Sequence, residues 1–192
     1  MLDVNFDSIP TALASRPQWV AWQSIEARKI PYCGAWRTAK VNDPATWLSL
    51  EAATKLYRSC AYDGIGFVFV DGDELVGVDL DGCRDPHSGA VADWALSVVD
   101  LLDSYTEISP SGSGLKIFAE GLLPAKGHRD RLPFDGRGGK AAGLEIYSAG
   151  RYFAVTGHRF TGAGLPNEPQ PRQEQLERLY YFKEQGFSLC LG

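Results

Sequence analysis

Two aspartates separated by one residue, Asp79 and Asp81, are the side chains of this sequence best suited to chemistry. They belong to Gly77–Asp81, where polar and apolar residues alternate as in a β-strand with one buried face. Alternate side chains of a strand point to the same face, about 6.6 to 6.8 Å apart, so the carboxylates share a face while Val78 and Leu80 enter the core. Paired carboxylates suit Mg²⁺ or Mn²⁺. Two solvated acids leading into a turn are the alternative.

The same pattern recurs in two other short segments, Leu115–Phe118 and Leu144–Tyr147. In each, a single charged residue, Lys116 or Glu145, alternates with apolar residues. If the three strands are neighbours in one sheet, these two side chains and the aspartate pair converge on one face. Three carboxylates and a lysine are the outline of a two-metal phosphoryl-transfer site.

A serine- and glycine-rich segment, Ser109–Gly114, stands directly before the lysine strand. Small residues let backbone N–H groups turn toward an anion and hydroxyls add donors, so the segment could hold a triphosphate with Lys116 as a point charge. It is not a Walker A loop, because a strand follows rather than a helix; a flexible polar turn is the alternative. Downstream, Arg151 could contact phosphate and Tyr152 a base or sugar. The candidate nucleotide ligands are Ser109, Ser111, Gly112, Ser113, Lys116 and Arg151.

Strand and helix patterns alternate along the chain and predict an α+β domain with a mostly antiparallel or mixed sheet. The turn sequence at 71–73 joins two β-rich runs and favours a hairpin between them. A Gly- and Pro-rich stretch indicates a linker, which predicts a catalytic domain over 1–160 and a linker with a C-terminal helix over 161–192. The predicted strands are Gln18–Trp22, Ile65–Val70, Leu75–Leu80, Tyr105–Ile108, Leu115–Ala119, Leu144–Tyr147 and Tyr152–Thr156. The predicted helices are Trp47–Cys60, Ala90–Leu102 and Gln173–Gln185.

The chain has 192 residues, of which 44% are hydrophobic and 22% charged, as in an ordinary globular protein. Its formal net charge of -5 argues against a module that binds duplex DNA tightly without sequence preference. The charge is uneven: Asp71–Asp85 is acidic and could hold metal, while Lys126–Lys140 is basic and could hold phosphate or a template strand. A solvated surface loop is the alternative for the basic stretch. The basic candidates are Lys126, Arg129, Arg131, Arg137 and Lys140.

Cysteine spacing and the lack of long apolar runs indicate where the protein works. The four cysteines lie far apart with no Cys-x-x-Cys pair, which argues against a zinc site. No apolar run approaches the roughly 20 residues that span a bilayer, and the first residues do not have the pattern of a signal peptide. We therefore expect a cytoplasmic protein with reduced thiols and no membrane partner.

Taken in order, these motifs resemble the N-terminal primase-polymerase domains of phage and plasmid replication proteins, in the archaeo-eukaryotic primase superfamily. The likeness runs from about Trp19 to Gly157 through the strings GIGFVFV, GVDLDGC, SYTEISPSGSGLKIF, LEIY and RYFAVTG. It implies that Asp79 and Asp81 form the first motif and that Glu145 is the acid of the third. The second motif of the family often ends in a histidine that contacts the nucleotide's phosphates, whereas Lys116 stands here. The resemblance also implies an RRM-like sheet with an added α/β unit, and in many relatives a helicase domain.

Together these observations predict a metal-dependent nucleotidyltransferase of phage or plasmid replication. It would synthesise primers, polymerise DNA, or both, from dNTPs or NTPs on a single-stranded DNA template. The three acids would hold Mg²⁺ or Mn²⁺, and Lys116 would hold the triphosphate. A nuclease with the same acids is one alternative. A nucleotide- or DNA-binding module that has lost catalysis is another, and lysine in place of histidine is its only support.

Overall fold

A computed structural model of the chain, described for residues 1–161 and 164–182, confirms the α+β class. Its strands form two five-stranded sheets, within which all pairings are antiparallel. The first sheet consists of β1 Trp19–Ile25, β2 Arg28–Gly34, β3 Arg37–Thr38, β4 Gly64–Val68 and β10 Tyr152–Val155, in the order β10-β4-β1-β2-β3. The second consists of β5 Leu75–Asp81, β6 Tyr105–Ile108, β7 Leu115–Glu120, β8 Gly127–Arg131 and β9 Gly143–Tyr147, in the order β6-β7-β5-β9-β8.

The helices are short. They are α1 Thr11–Ala14, α2 Leu50–Leu56 with a wider turn at Tyr57–Ala61, α3 Asp93–Leu102 and α4 Gln173–Tyr180. The helix predicted from Trp47 begins three residues later, because the Ser49 hydroxyl accepts a hydrogen bond from the Ala52 N–H at 3.2 Å and caps it. The predicted C-terminal helix is confirmed to Tyr180, and its residues 183–185 lie outside the described residues.

The predicted hairpin around residues 71–73 is wrong. Strand β4 pairs with β1 and β10, and β5 pairs with β7 and β9, so the two runs belong to different sheets. Strand β4 is buried over its whole length and β5 over its first four residues, and each occupies an inner position with a neighbour on either side. The turn between them instead carries the chain from the first sheet to the second. Gly72 and Glu74 adopt left-handed conformations in this turn, and Arg16 Nη1 lies 3.2 Å from Asp73 Oδ2.

The two faces of the second sheet have different neighbours. Val76, Val78 and Leu80 point toward α3 and α4 and are fully buried there with the apolar residues of β7 and β9. The opposite face is divided along its length. At the start of β5, Leu75 packs with aromatic residues of both sheets, whereas at its end the aspartates line a cleft between the sheets.

The close approach of the two sheets depends on Gly77. A Cβ atom at this position would lie 2.3 Å from Cζ of Phe69 and 2.6 Å from Cε2 of Phe153. Only glycine therefore lets these rings cover the middle of β5. Of the two rings, Phe153 also lines the cleft that holds Asp79.

Helix α4 packs on the same core as the second sheet, with Leu176 and Leu179 fully buried. The segment before it is bound to the body of the fold, because the Glu168 carboxylate accepts the Thr11 and Ala12 N–H groups at 2.7 and 3.0 Å. The domain boundary after residue 160 stays a prediction. Within the described ranges, no helix has the length and apolar character needed to cross a bilayer.

Candidate active site

Five charged side chains form a single row across the second sheet, one from each strand. Register places Glu107 opposite Lys116, Lys116 opposite Asp79, Asp79 opposite Glu145, and Glu145 opposite Arg129. Directly opposed residues share a face and lie within side-chain reach of each other. The predicted convergence of the carboxylates and the lysine on one face is therefore what the strand pairing produces.

At the centre of the row, Asp79 and Lys116 form a buried ion pair. The lysine Nζ donates to Asp79 Oδ2, and the two side chains are only 4% and 16% exposed. The ammonium also lies 4.5 Å above the centre of the Phe153 ring. The second oxygen, Asp79 Oδ1, is buried without a hydrogen-bond partner in the described structure. A buried carboxylate oxygen in this state favours a cation as its missing partner.

On the other side of Asp79, Arg129 binds the remaining two acids. Its Nε lies 2.9 Å from Glu145 Oε1, and its Nη2 lies 3.8 Å from Asp81 Oδ2. Burial, followed by the charge of Asp79, raises the pKa of both Asp81 and Glu145. The three carboxylates thus repel one another in a partly desolvated place, and additional positive charge would stabilise their ionised forms.

The residues present fit a hard divalent cation in their chemistry. Three carboxylates from the neighbouring strands β5 and β9 offer oxygen ligands of the type that Mg²⁺ and Mn²⁺ take, and the buried Oδ1 of Asp79 has no hydrogen-bond partner among the described residues. Nevertheless, among residues 1–161 and 164–182, no three acidic, histidine or cysteine side chains are gathered closely enough to hold one ion as they stand. The carboxylates are directed toward Lys116 and Arg129 instead.

The acids open into a cleft of about 560 Å³ between the two sheets. The second sheet forms one wall, and residues 27–29 and 151–154, at the starts of β2 and β10 of the first sheet, form the other. Arg151 and Tyr152, both singled out in the sequence, lie on this second wall. Lys29 is exposed at the cleft, and its partial desolvation there, followed by the charge of Lys116, lowers its pKa to about 8. The basic side chains that line the cleft are Arg28, Lys29, Lys116, Arg129, Lys140 and Arg151.

Arg28 and Lys29 were missed by the sequence reasoning. They begin β2, a strand whose residues Arg28–Gly34 show no regular alternation, and they lie about fifty positions before the aspartates in the chain. The pairing of β2 with β1 brings them to the cleft. No motif in the sequence points to this arrangement.

The serine loop lies beside the cleft rather than in its wall. Hydroxyl oxygens of Ser109, Ser111 and Ser113 form a chain with spacings of 3.2 and 2.8 Å, and Gly112 turns the loop with a φ of 75°. Of the described cleft-lining residues, none belongs to this loop. Lys140 connects the two, because it lines the cleft and donates to Ser111 Oγ at 3.1 Å. Phosphate binding by the loop stays a prediction.

Glu107, at the far end of the row, was also missed. It is fully buried, and its two oxygens accept the N–H groups of Thr156 and Gly157, each at 2.9 Å. The Tyr105 hydroxyl donates to it at 3.0 Å. Burial raises the pKa of Glu107 to about 7, although these hydrogen bonds act in the opposite direction. This acid binds the end of β10 to the second sheet.

No protein-family model matches the chain. The chain is similar to the DNA primase-polymerase of Nitratiruptor phage NrS-1, with 34% identity over 152 residues. The match covers 79% of this chain and 20% of that protein, so the chain spans about a fifth of the relative's length. The resemblance of the sequence motifs to a primase-polymerase is therefore supported by similarity to a phage protein of that name. The placement in the archaeo-eukaryotic primase superfamily stays a prediction.

Proposed function

We propose that this chain carries out DNA-templated nucleotidyl transfer, as primer synthesis, DNA polymerisation or both, in phage or plasmid replication. The observation that carries the proposal is the cross-strand row in which Lys116, Asp79 and Glu145 are direct neighbours at the floor of a basic cleft. Acids at the floor suit metal ions, and cations around them suit a triphosphate and a DNA strand. Similarity to a DNA primase-polymerase agrees with this chemistry.

In this proposal, Asp79, Asp81 and Glu145 hold Mg²⁺ or Mn²⁺. When bound, such ions lower the pKa of the attacking hydroxyl and neutralise charge on the triphosphate. The side chains themselves contribute position: strand pairing holds Asp79 and Glu145 opposite each other, and Asp81 follows on the same face. Rigid strands hold ligands more accurately than loops do.

The triphosphate is bound by cations on both walls of the cleft. Lys116 supplies a buried positive charge at the floor, and Arg151 on the opposite wall can bind phosphate oxygens through its planar guanidinium. Lys140 extends this positive surface to Ser111 and its hydroxyl chain. Backbone N–H groups of the 109–114 loop add donors for the phosphate tail.

A single-stranded DNA template follows the basic side chains of the 126–140 stretch. Arg129 and Lys140 of this stretch line the cleft itself, and Arg131 lines a neighbouring hollow of about 310 Å³. Local positive charge of this kind guides a DNA strand even on a chain whose net charge is -5. From the resemblance, we also propose that the unit acts with a helicase domain or helicase protein.

The test is an extension assay with a primed single-stranded template, labelled dNTPs and Mg²⁺ or Mn²⁺. We expect products with the native chain and none with Asp79→Asn/Asp81→Asn, while the exposed Asp100→Asn on α3 stays active. An unprimed template with mixed NTPs and dNTPs separates priming from extension. Shortened DNA in a control without nucleotides would indicate a nuclease, and a folded chain that binds dNTP but forms no product would indicate a binding module.

A further inference from the structure

Arg129 stands out from the other cations of the cleft, because it binds two of the three acids from the solvent side. It is directly opposite Glu145 in the pairing of β8 with β9, and β8 is the edge strand of the sheet. Its guanidinium reaches Glu145 at 2.9 Å and Asp81 at 3.8 Å. A cation in this position provides positive charge to the same carboxylates that would bind metal.

The two cations that balance the acids differ in their freedom to move. The Lys116 side chain is 4% exposed, lies over the Phe153 ring and has little room to leave Asp79. The Arg129 side chain is 68% exposed, whereas its partners Glu145 and Asp81 are 17% and 29% exposed. Arg129 can therefore swing into solvent without opening the core, and the acids remain where they are.

The lack of a ready ion site has a direct explanation in these contacts. The described carboxylates do not converge on one point, and the Oε1 oxygen of Glu145 is taken up by Arg129. A metal ion that binds Glu145 and Asp81 must replace this guanidinium, because both cations compete for the same oxygens. Before a metal ion binds, the ion pair between Arg129 and Glu145 lowers the net repulsion among the acids.

We propose that Arg129 is an exchangeable counter-ion of the acidic site: it holds Glu145 and Asp81 before metal binds and leaves them when a divalent cation arrives. This inference rests on the proposed function, because it takes the three acids to be the metal ligands. Arg129 is a positioning residue in this role, since it acts on the acids. Its removal should strengthen metal binding, opposite to the effect of removing a ligand.

The test is Mn²⁺ binding in the absence of nucleotide and DNA, measured by calorimetry and by the electron paramagnetic resonance signal of free Mn²⁺. Arg131→Gln is the matched control for Arg129→Gln. Arg131 lies two residues further along the same strand and is exposed, and it forms no ion pair with any described residue. Both variants remove one positive charge, so their difference reports the ion pair rather than the general field.

We expect Arg129→Gln to lower the Kd for Mn²⁺ about 5-fold, and Arg131→Gln to change it no more than about 2-fold. Arg129→Lys keeps the charge without the planar guanidinium and should fall between native and Arg129→Gln. Equal affinities of Arg129→Gln and Arg131→Gln, or weaker binding by Arg129→Gln, would overturn the inference and leave the proposed function intact. If the native chain binds no Mn²⁺ that depends on Asp79 and Asp81, the inference and the metal part of the proposed function both fail.

Discussion

Two glutamates on the same face of the same sheet have opposite surroundings. Glu107 and Glu145 belong to one row, separated only by Lys116 and Asp79. Glu107 is fully buried, and neutral donors from Thr156, Gly157 and Tyr105 satisfy its oxygens. Glu145 lies at the cleft, beside two other acids and under an exposed arginine.

The difference shows how one strand pattern produces both a structural tie and a reactive site. A buried carboxylate with backbone donors joins the two sheets, because Thr156 and Gly157 follow β10 of the first sheet and Glu107 belongs to the second. The acids at the cleft have too few neutral donors and repel one another, so they depend on cations. Four predictions test this contrast, beginning with the largest expected effect.

The largest expected effect is the loss of activity in Glu145→Gln. An amide removes the negative charge from a proposed metal ligand, so kcat/KM for primer extension should fall roughly 10²- to 10³-fold. The fold should persist, because Glu145 is at the cleft surface. Glu107→Gln is the paired variant, and its extension rate per folded molecule should stay within a few-fold of native. Similar losses of activity in both variants would contradict a structural role for Glu107 and a catalytic role for Glu145.

The second prediction concerns stability, on which we expect Glu107→Gln to have a larger effect than Glu145→Gln. In Glu107→Gln, an amide NH₂ group faces backbone N–H donors, which leaves a buried donor without an acceptor. This should reduce the free energy of unfolding by about 1–3 kcal/mol in urea titrations. Glu145→Gln should change it by less than about 1 kcal/mol, or raise it, because one repulsive charge is lost. Equal stabilities would show that Glu107 does not tie the sheets.

The third prediction concerns pH. The folded-state pKa of Glu107 is raised to about 7 from an ordinary 4.5, so between these values the folded chain holds a proton that the unfolded chain has released. The free energy of unfolding should therefore fall as pH rises from about 5 to 7.5, by on the order of 2–3 kcal/mol from this group, and level off above. The difference in the free energy of unfolding between the native chain and Glu107→Gln isolates the contribution of Glu107, because Asp81 and Glu145 titrate in both proteins. A difference that does not vary with pH would contradict the expectation.

The fourth prediction concerns the apolar part of the same face. Gly77→Ala would place a methyl group against the Phe69 and Phe153 rings, which should cost about 1–3 kcal/mol of stability in thermal or urea unfolding. Gly34→Ala is the control, because its new Cβ would be 3.8 Å from Arg37 Cβ, an ordinary contact. Equal losses of stability in Gly77→Ala and Gly34→Ala would show that the two rings do not pack closely against Gly77.

The sequence by itself determined which side chains share a face. Alternation placed Asp79 with Asp81, and set Lys116 and Glu145 opposite apolar neighbours, because a strand has a side-chain period of two whatever its partners are. Most of the strands, and the helix α3 to within three residues at its start, followed from the same periodicity. Periodicity did not predict the strands β2 and β8, because their residues do not alternate in a regular way.

Only the tertiary structure decided which strands are neighbours. The turn at residues 71–73 predicted a hairpin, yet β4 and β5 lie in separate sheets, because the pairing of each strand with two neighbours of its own sheet outweighed the local turn signal. The same long-range pairing brought Lys29 and Arg129 to the acids, and placed Glu107 beyond the reach of solvent. Periodicity carries no information on contacts between distant segments, so the place of Arg28 and Lys29 in the cleft, the contacts of Arg129 with the acids and the buried tie of Glu107 could be found only in the folded chain.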